Sequence, residues 1–123
     1  MTTIANRVDR SSLTPIHWTG IALAAVTGSI HIVLGLAAPT TPVGIASIFA
    51  GAGFGVAIWL VLVDERRRLV YALGIPYVAS QIVLWYVINR PPSLAEISPA
   101  AMVDKPVQVG LIVVCVVLLV RES

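Results

Sequence analysis

Apolar residues in this chain neither alternate nor recur as a narrow stripe. They come in long runs broken by short polar clusters. Four runs approach the roughly 20 residues that an α-helix needs to cross a hydrocarbon layer. They fall at 15–38, 42–63, 69–89 and 102–120, the last with its apolar part at 106–120. Thr14 before Pro15 and Thr41 before Pro42 each read as an N-cap followed by proline at the first helical position, where the missing N–H is no loss. Arg90-Pro91-Pro92 stops the third helix, since proline disfavours helical geometry in the residue before it. Pro76, inside the third run, predicts a kink of the kind neighbouring helices tolerate in a membrane. The longest loop, about 90–105, holds Ser93-Leu94-Ala95-Glu96, which offers one capped turn on the membrane surface. Ser98-Pro99 offers instead an early start to the fourth helix, and both options stay open. The pattern predicts an all-α membrane protein: a tail at 1–14 and one four-helix transmembrane domain at 15–121.

Composition narrows the class further. Of 123 residues, 58% are hydrophobic and 11% charged, against roughly 25% charged in an ordinary soluble domain. A soluble enzyme is excluded, and a net charge of +2, scattered along the chain, gives nucleic acid nothing to bind. The single Cys115 cannot build a disulfide scaffold and reads as core filler. In a four-span arrangement Arg7, Arg10, Arg66, Arg67, Arg68 and Arg121 lie on one side, and Arg90 and Lys105 on the other. The positive-inside bias therefore predicts both termini cytoplasmic and a multi-pass protein of the cell membrane. Trp18, Trp59 and Tyr71 fall near the inner interface, Trp85 and Tyr86 near the outer one. Leu36-Ala37-Ala38 resembles a cleavage site, but the run before it is far longer than a signal-peptide core, so a retained first helix is expected.

Between helices in lipid, close contact of small residues replaces much of the hydrophobic drive. In the second span Ser47, Gly51 and Gly55 recur at four-residue spacing, a pattern suited to packing within the bundle or to a homodimer. On the first span His17, Gly20, Ala24, Gly28, His31 and Gly35 share one face. Its two histidines are fourteen residues apart, hence about 40° apart around the helix and roughly 21 Å along it.

Polar groups inside a membrane are the first suspects for function. His17, Thr27, Ser29, His31, Ser47, Ser80, Gln81 and Gln108 make up the inventory, with no Asp, Glu, Lys or Arg near the middle of a span. His31 and Gln81 lie about 7 Å and about 3 Å beyond their span midpoints, so a hydrogen bond between them is expected. Asp104-Lys105 reads as the outer edge of the fourth span, with Asp104 as a helix cap. The arginines Arg66, Arg67 and Arg68 read as anchors to anionic lipid headgroups. His17 and His31 also have the spacing of haem ligands in membrane cytochromes b. No other histidine exists in the chain, so haem b would need a parallel homodimer. No zinc, phosphate-loop or nucleophile motif is present, and no enzyme activity is expected.

The segments Gly28 to His31, Gly74-Ile75-Pro76 leading to Gln81-Ile82-Val83-Leu84-Trp85-Tyr86, and Asp104-Lys105 leading to Gln108-Val109 resemble an uncharacterised family of small four-helix integral membrane proteins from halophilic archaea. The resemblance spans about 14–121 and implies an archaeal membrane protein, with no activity to carry over. Small multidrug-resistance exporters use a glutamate in the first helix, which this chain lacks. Fluoride channels insert in both orientations, against the charge bias here. Three functional expectations follow. The first is a structural or accessory subunit, packing through its glycine faces onto a larger membrane complex. The second is an oligomeric small-solute transporter or channel using His31, Gln81 and Tyr77, with Pro76 as a mobile kink. The third is the haem-binding homodimer. Lipid is a partner in all three.

Overall fold

A computed structural model of the protein describes residues 8, 10–89 and 97–121. Arg7, Arg90 and the Ser93–Glu96 segment lie outside the described residues. After a short 3-10 turn at Arg10–Ser12 come four helices: α1 (Pro15–Ala37), α2 (Pro42–Leu62), α3 (Arg67–Asn89) and α4 (Pro99–Arg121). Each is long and apolar enough to cross a membrane. The surface is what lipid requires: Phe49, Val120, Val33 and Leu36 are 63–73% exposed, while Thr27 and Gln108 are fully buried. We call the end with Arg10–Ser12, the 63–66 turn and Arg121 basal, and the end with the 38–41 turn and Ser98 distal.

Three helices start by the same local chemistry. The Thr14 side chain accepts from the backbone N–H of His17, and the Thr41 hydroxyl accepts from Gly44 N at 3.0 Å. Ser98 does this for α4, its Oγ accepting from Ala101 N at 3.2 Å ahead of Pro99. The fourth helix therefore starts at Pro99 rather than near 102, and Asp104 is an interior residue, not a cap. Both α3 and α4 run on through Pro76 and Pro106, each of which removes one intrahelical N–H donor.

α1 is the central strut, packing extensively on α2 and on α4, while α4 also holds α3; α2 and α3 barely touch. The α1–α2 contact is an antiparallel pairing of glycines at seven-residue spacing. A Cβ on Gly51 would lie 2.8 Å from the Gly28 carbonyl oxygen, and one on Gly35 would lie 2.6 Å from that of Gly44. Seven residues make two turns with little angular drift, which keeps a residue facing its neighbour over a long contact. Gly55, expected in the same interface, is exposed, and a Cβ there would meet nothing within 4 Å. Four residues turn 400°, so Gly55 lies about 40° around α2 from Gly51, off the α1 seam. Farther along α1, Gly20 and Ala24 serve the other side of the stripe: a Cβ on Gly20 would lie 3.0 Å from Val114 of α4.

α4 buries Ala101, Asp104, Gln108, Leu111, Cys115 and Leu118, a strict alternation of three- and four-residue steps typical of a helix gripped along one seam. On its α3 side, Gly74 faces Cys115, and Gln81 faces Gln108 seven residues further along.

Two expectations at the basal end need correction. Arg67 is not a headgroup anchor: it is 5% exposed, its Nε donating to the Val61 carbonyl at 2.8 Å and lying 3.4 Å from Asp64. Arg66 and Arg68 remain exposed. The turn has Asp64 and Arg66 both at φ 54°, and closing it sends Arg67 inward. Tyr71 likewise does not turn towards lipid headgroups: it is 3% exposed and faces the core, because it lies on the α3 seam.

Candidate functional site

Six polar side chains join into one hydrogen-bonded chain that crosses three helices. On α1 the His31 Nδ1 donates to the Thr27 carbonyl at 2.7 Å, one turn back. The Thr27 hydroxyl donates to Asp104 Oδ1 of α4 at 2.5 Å. The other carboxylate oxygen of Asp104 faces Lys105 Nζ at 3.0 Å, and that ammonium also donates to Gln108 Oε1 at 2.8 Å. Gln108 Nε2 then donates to Gln81 Oε1 of α3 at 2.8 Å. Lys105 Nζ lies 5.3 Å from the centre of the Trp85 ring, a cation–π contact.

The depth of this cluster overturns the sequence expectation of no charge at mid-span. Thr27 is next to the midpoint of α1, and Asp104, which it meets, is 4% exposed. A charge pair this deep persists only when each member is paired and hydrogen-bonded, because desolvating an isolated ion costs several kcal/mol or more. The sequence held a signal for it. The three- and four-residue rhythm of Leu118, Cys115, Leu111 and Gln108, extended one step towards the N-terminus, lands on Asp104.

The expected His31–Gln81 bond does not form. Each has a different partner, Thr27 for His31 and Gln108 for Gln81, since α4 stands between α1 and α3. Both still line one cavity of about 520 Å³ in the distal half of the bundle, together with Ser47, Trp85, Asp104 and Lys105. His31 and Gln81 stand at opposite ends of this network and share no partner, so His31→Leu and Gln81→Leu should couple by less than about 1 kcal/mol in a double-mutant cycle. A coupling above about 1 kcal/mol, measured by detergent unfolding, would restore direct pairing.

That cavity occupies the gap between α2 and α3, and so does a second one in the basal half. The basal cavity, about 70 Å³, is walled by apolar surface from Ile21, Ile58, Val70 and their neighbours. Between the two stands Tyr77, which donates to the Ala50 carbonyl of α2 at 2.7 Å and packs edge-on to Phe54 at 5.2 Å. Gly53 admits this approach, since a Cβ there would collide with the Tyr77 hydroxyl.

The remaining polar residues take local partners or face lipid. Ser80 donates to the Tyr77 carbonyl at 2.8 Å, and Ser29 is exposed. His17 closes the N-cap, with Nδ1 2.8 Å from the Thr14 hydroxyl and its ring 6.4 Å from that of Tyr71. At 6% exposure it faces the bundle core, so a second copy could not pair with it across haem as the spacing had suggested. Among the described residues no cluster of three metal-ligating side chains occurs. No family model, curated protein or solved structure matches the chain.

Proposed function

We propose that this protein binds a small polar solute in its distal cavity and acts as a transporter or channel, in keeping with the second of the three expectations. The observation that carries this reading is a cavity of about 520 Å³ lined by an Asp104–Lys105 ion pair inside the bundle, its carboxylate buried and its ammonium partly exposed to the cavity. Ionisable residues are expensive inside a membrane and mark solute pathways when they line a cavity, and this volume suits a small ligand. Passage towards the basal end requires Tyr77 to release Ala50, so the Tyr77–Phe54 contact is the partition that has to move. The accessory-subunit reading has less to rest on, because Gly28, Gly35, Gly44 and Gly51 are used in joining α1 to α2 within the chain.

The basic residues at the basal end support an orientation with both termini cytoplasmic, in the cell membrane of an archaeon if the family resemblance holds. The distal cavity then opens to the outside. In a Cys115→Ala background, Ser47→Cys should react with a membrane-impermeant thiol reagent added to intact cells. Ala57→Cys, on the basal cavity, should not. Equal labelling of both positions, or labelling of neither, would sink the proposal.

A further inference from the structure

We infer that the distal cavity takes a small anion, held by the ammonium of Lys105. This rests on the solute-binding reading and names the class of solute. Of the two opposite charges in the cluster, the positive one reaches the cavity wall: the Lys105 side chain is 17% exposed, that of Asp104 5%. Both carboxylate oxygens are already engaged, one by the Thr27 hydroxyl and one by Lys105. An ammonium has three N–H donors and no acceptor. Lys105 directs two of them to Asp104 and Gln108, and one remains.

Gln81 adds a second donor beside the same cavity. Its Nε2 is buried with no hydrogen-bond partner, and a contact to the Tyr77 hydroxyl, one turn back, would engage just one of its two N–H groups. Unpartnered amide donors are costly in a low-dielectric site, so an acceptor entering the cavity satisfies a need already built into the wall. His31 adds no donor: with Nδ1 donating to the Thr27 carbonyl, Nε2 of the neutral ring is an acceptor. The α2 wall offers Thr41 and Ser47 and no charge. A cation finds no such place. The two features that would attract it, the Asp104 carboxylate and the face of Trp85, are both held by Lys105. Inorganic halide and small carboxylates share the required chemistry, a compact negative charge that accepts hydrogen bonds.

Trp85 reports on the site because Lys105 lies over its ring. In detergent-purified protein carrying Trp18→Phe and Trp59→Phe, its emission is followed during titration with sodium acetate, tetramethylammonium acetate, sodium chloride and acetamide. A saturable response to acetate or chloride is expected, unchanged by the choice of counter-cation and absent for acetamide, the neutral isostere. A response to acetate alone makes the ligand a carboxylate; a response to chloride alone makes it a halide. The double variant Asp104→Asn/Lys105→Gln removes both charges together and leaves none unpaired. It should keep its helical circular dichroism and weaken the anion response roughly tenfold or more, the usual size of a charge-assisted hydrogen bond. Affinity unmoved in that variant, acetamide binding as well as acetate, or a response that follows the cation would overturn the anion class and leave solute binding standing. No saturable response to any probe would overturn both.

Discussion

Lys105→Met should destabilise the protein by about 3–5 kcal/mol, the usual consequence of leaving one member of a buried ion pair without its partner. Asp104 is 4% exposed and would retain the Thr27 hydroxyl alone. The loss should be read as a drop in unfolding temperature in mild detergent. The mirror substitution, Asp104→Leu, should cost less. Lys105 is closer to the cavity, keeps Gln108, and retains the face of Trp85. Asp104→Asn combined with Lys105→Met should recover much of the lost stability. The amide oxygen can still accept from Thr27, and no charge is left buried. Equal stability of the single and double variants would mean that the pair is not desolvated as the geometry indicates.

The second large effect concerns glycine, and it discriminates between residues that look alike in the sequence. Gly44→Ala should cost about 3 kcal/mol, at the upper end of the usual overpacking penalty. The new methyl group would run into the Ala38 carbonyl, which is backbone, and would lie 2.9 Å from the Thr41 hydroxyl that caps α2. Neither can move aside without opening the 38–41 turn. Gly51→Ala meets the Gly28 carbonyl at 2.8 Å and Ile32 Cγ1 at 2.6 Å and should also be damaging. Gly55→Ala should change stability by less than about 0.5 kcal/mol, since nothing lies within 4 Å of its new methyl. Unfolding of the three variants under identical detergent conditions checks the ranking. A Gly55→Ala loss as large as that of Gly44→Ala would instead point to a contact with another copy or partner on the outer face of α2.

Both results turn on the same division of information. Thr14-Pro15 and Thr41-Pro42 are local signals, acting within one turn through a hydroxyl and a fixed φ, so the starts of α1 and α2 were readable; Ser98-Pro99 carries the same signal, but a capped turn at 93–96 competed with it. The length of each apolar run was readable too, because a bilayer requires it whatever the helices pack against. The stripe through Gly20, Ala24, Gly28 and Gly35 follows from helical geometry alone. What these local rules cannot supply is the identity of the facing helix at each depth. Gly51 and Gly55 share a face of α2, yet only Gly51 lies against α1, and Gly55 stays open. Asp104 and Lys105 looked like an edge, because they are the last charged residues before the apolar run from Pro106 and the loop before them is long. Starting α4 at Pro99 carries them inside, where Thr27 of α1 and Gln108 of α4 bond them directly and Gln81 of α3 joins through Gln108. Local sequence thus determined four spans and the caps of the first two. Only tertiary structure decided which polar residues meet, since hydrogen bonds between helices depend on register and crossing, and neither is written in any single span.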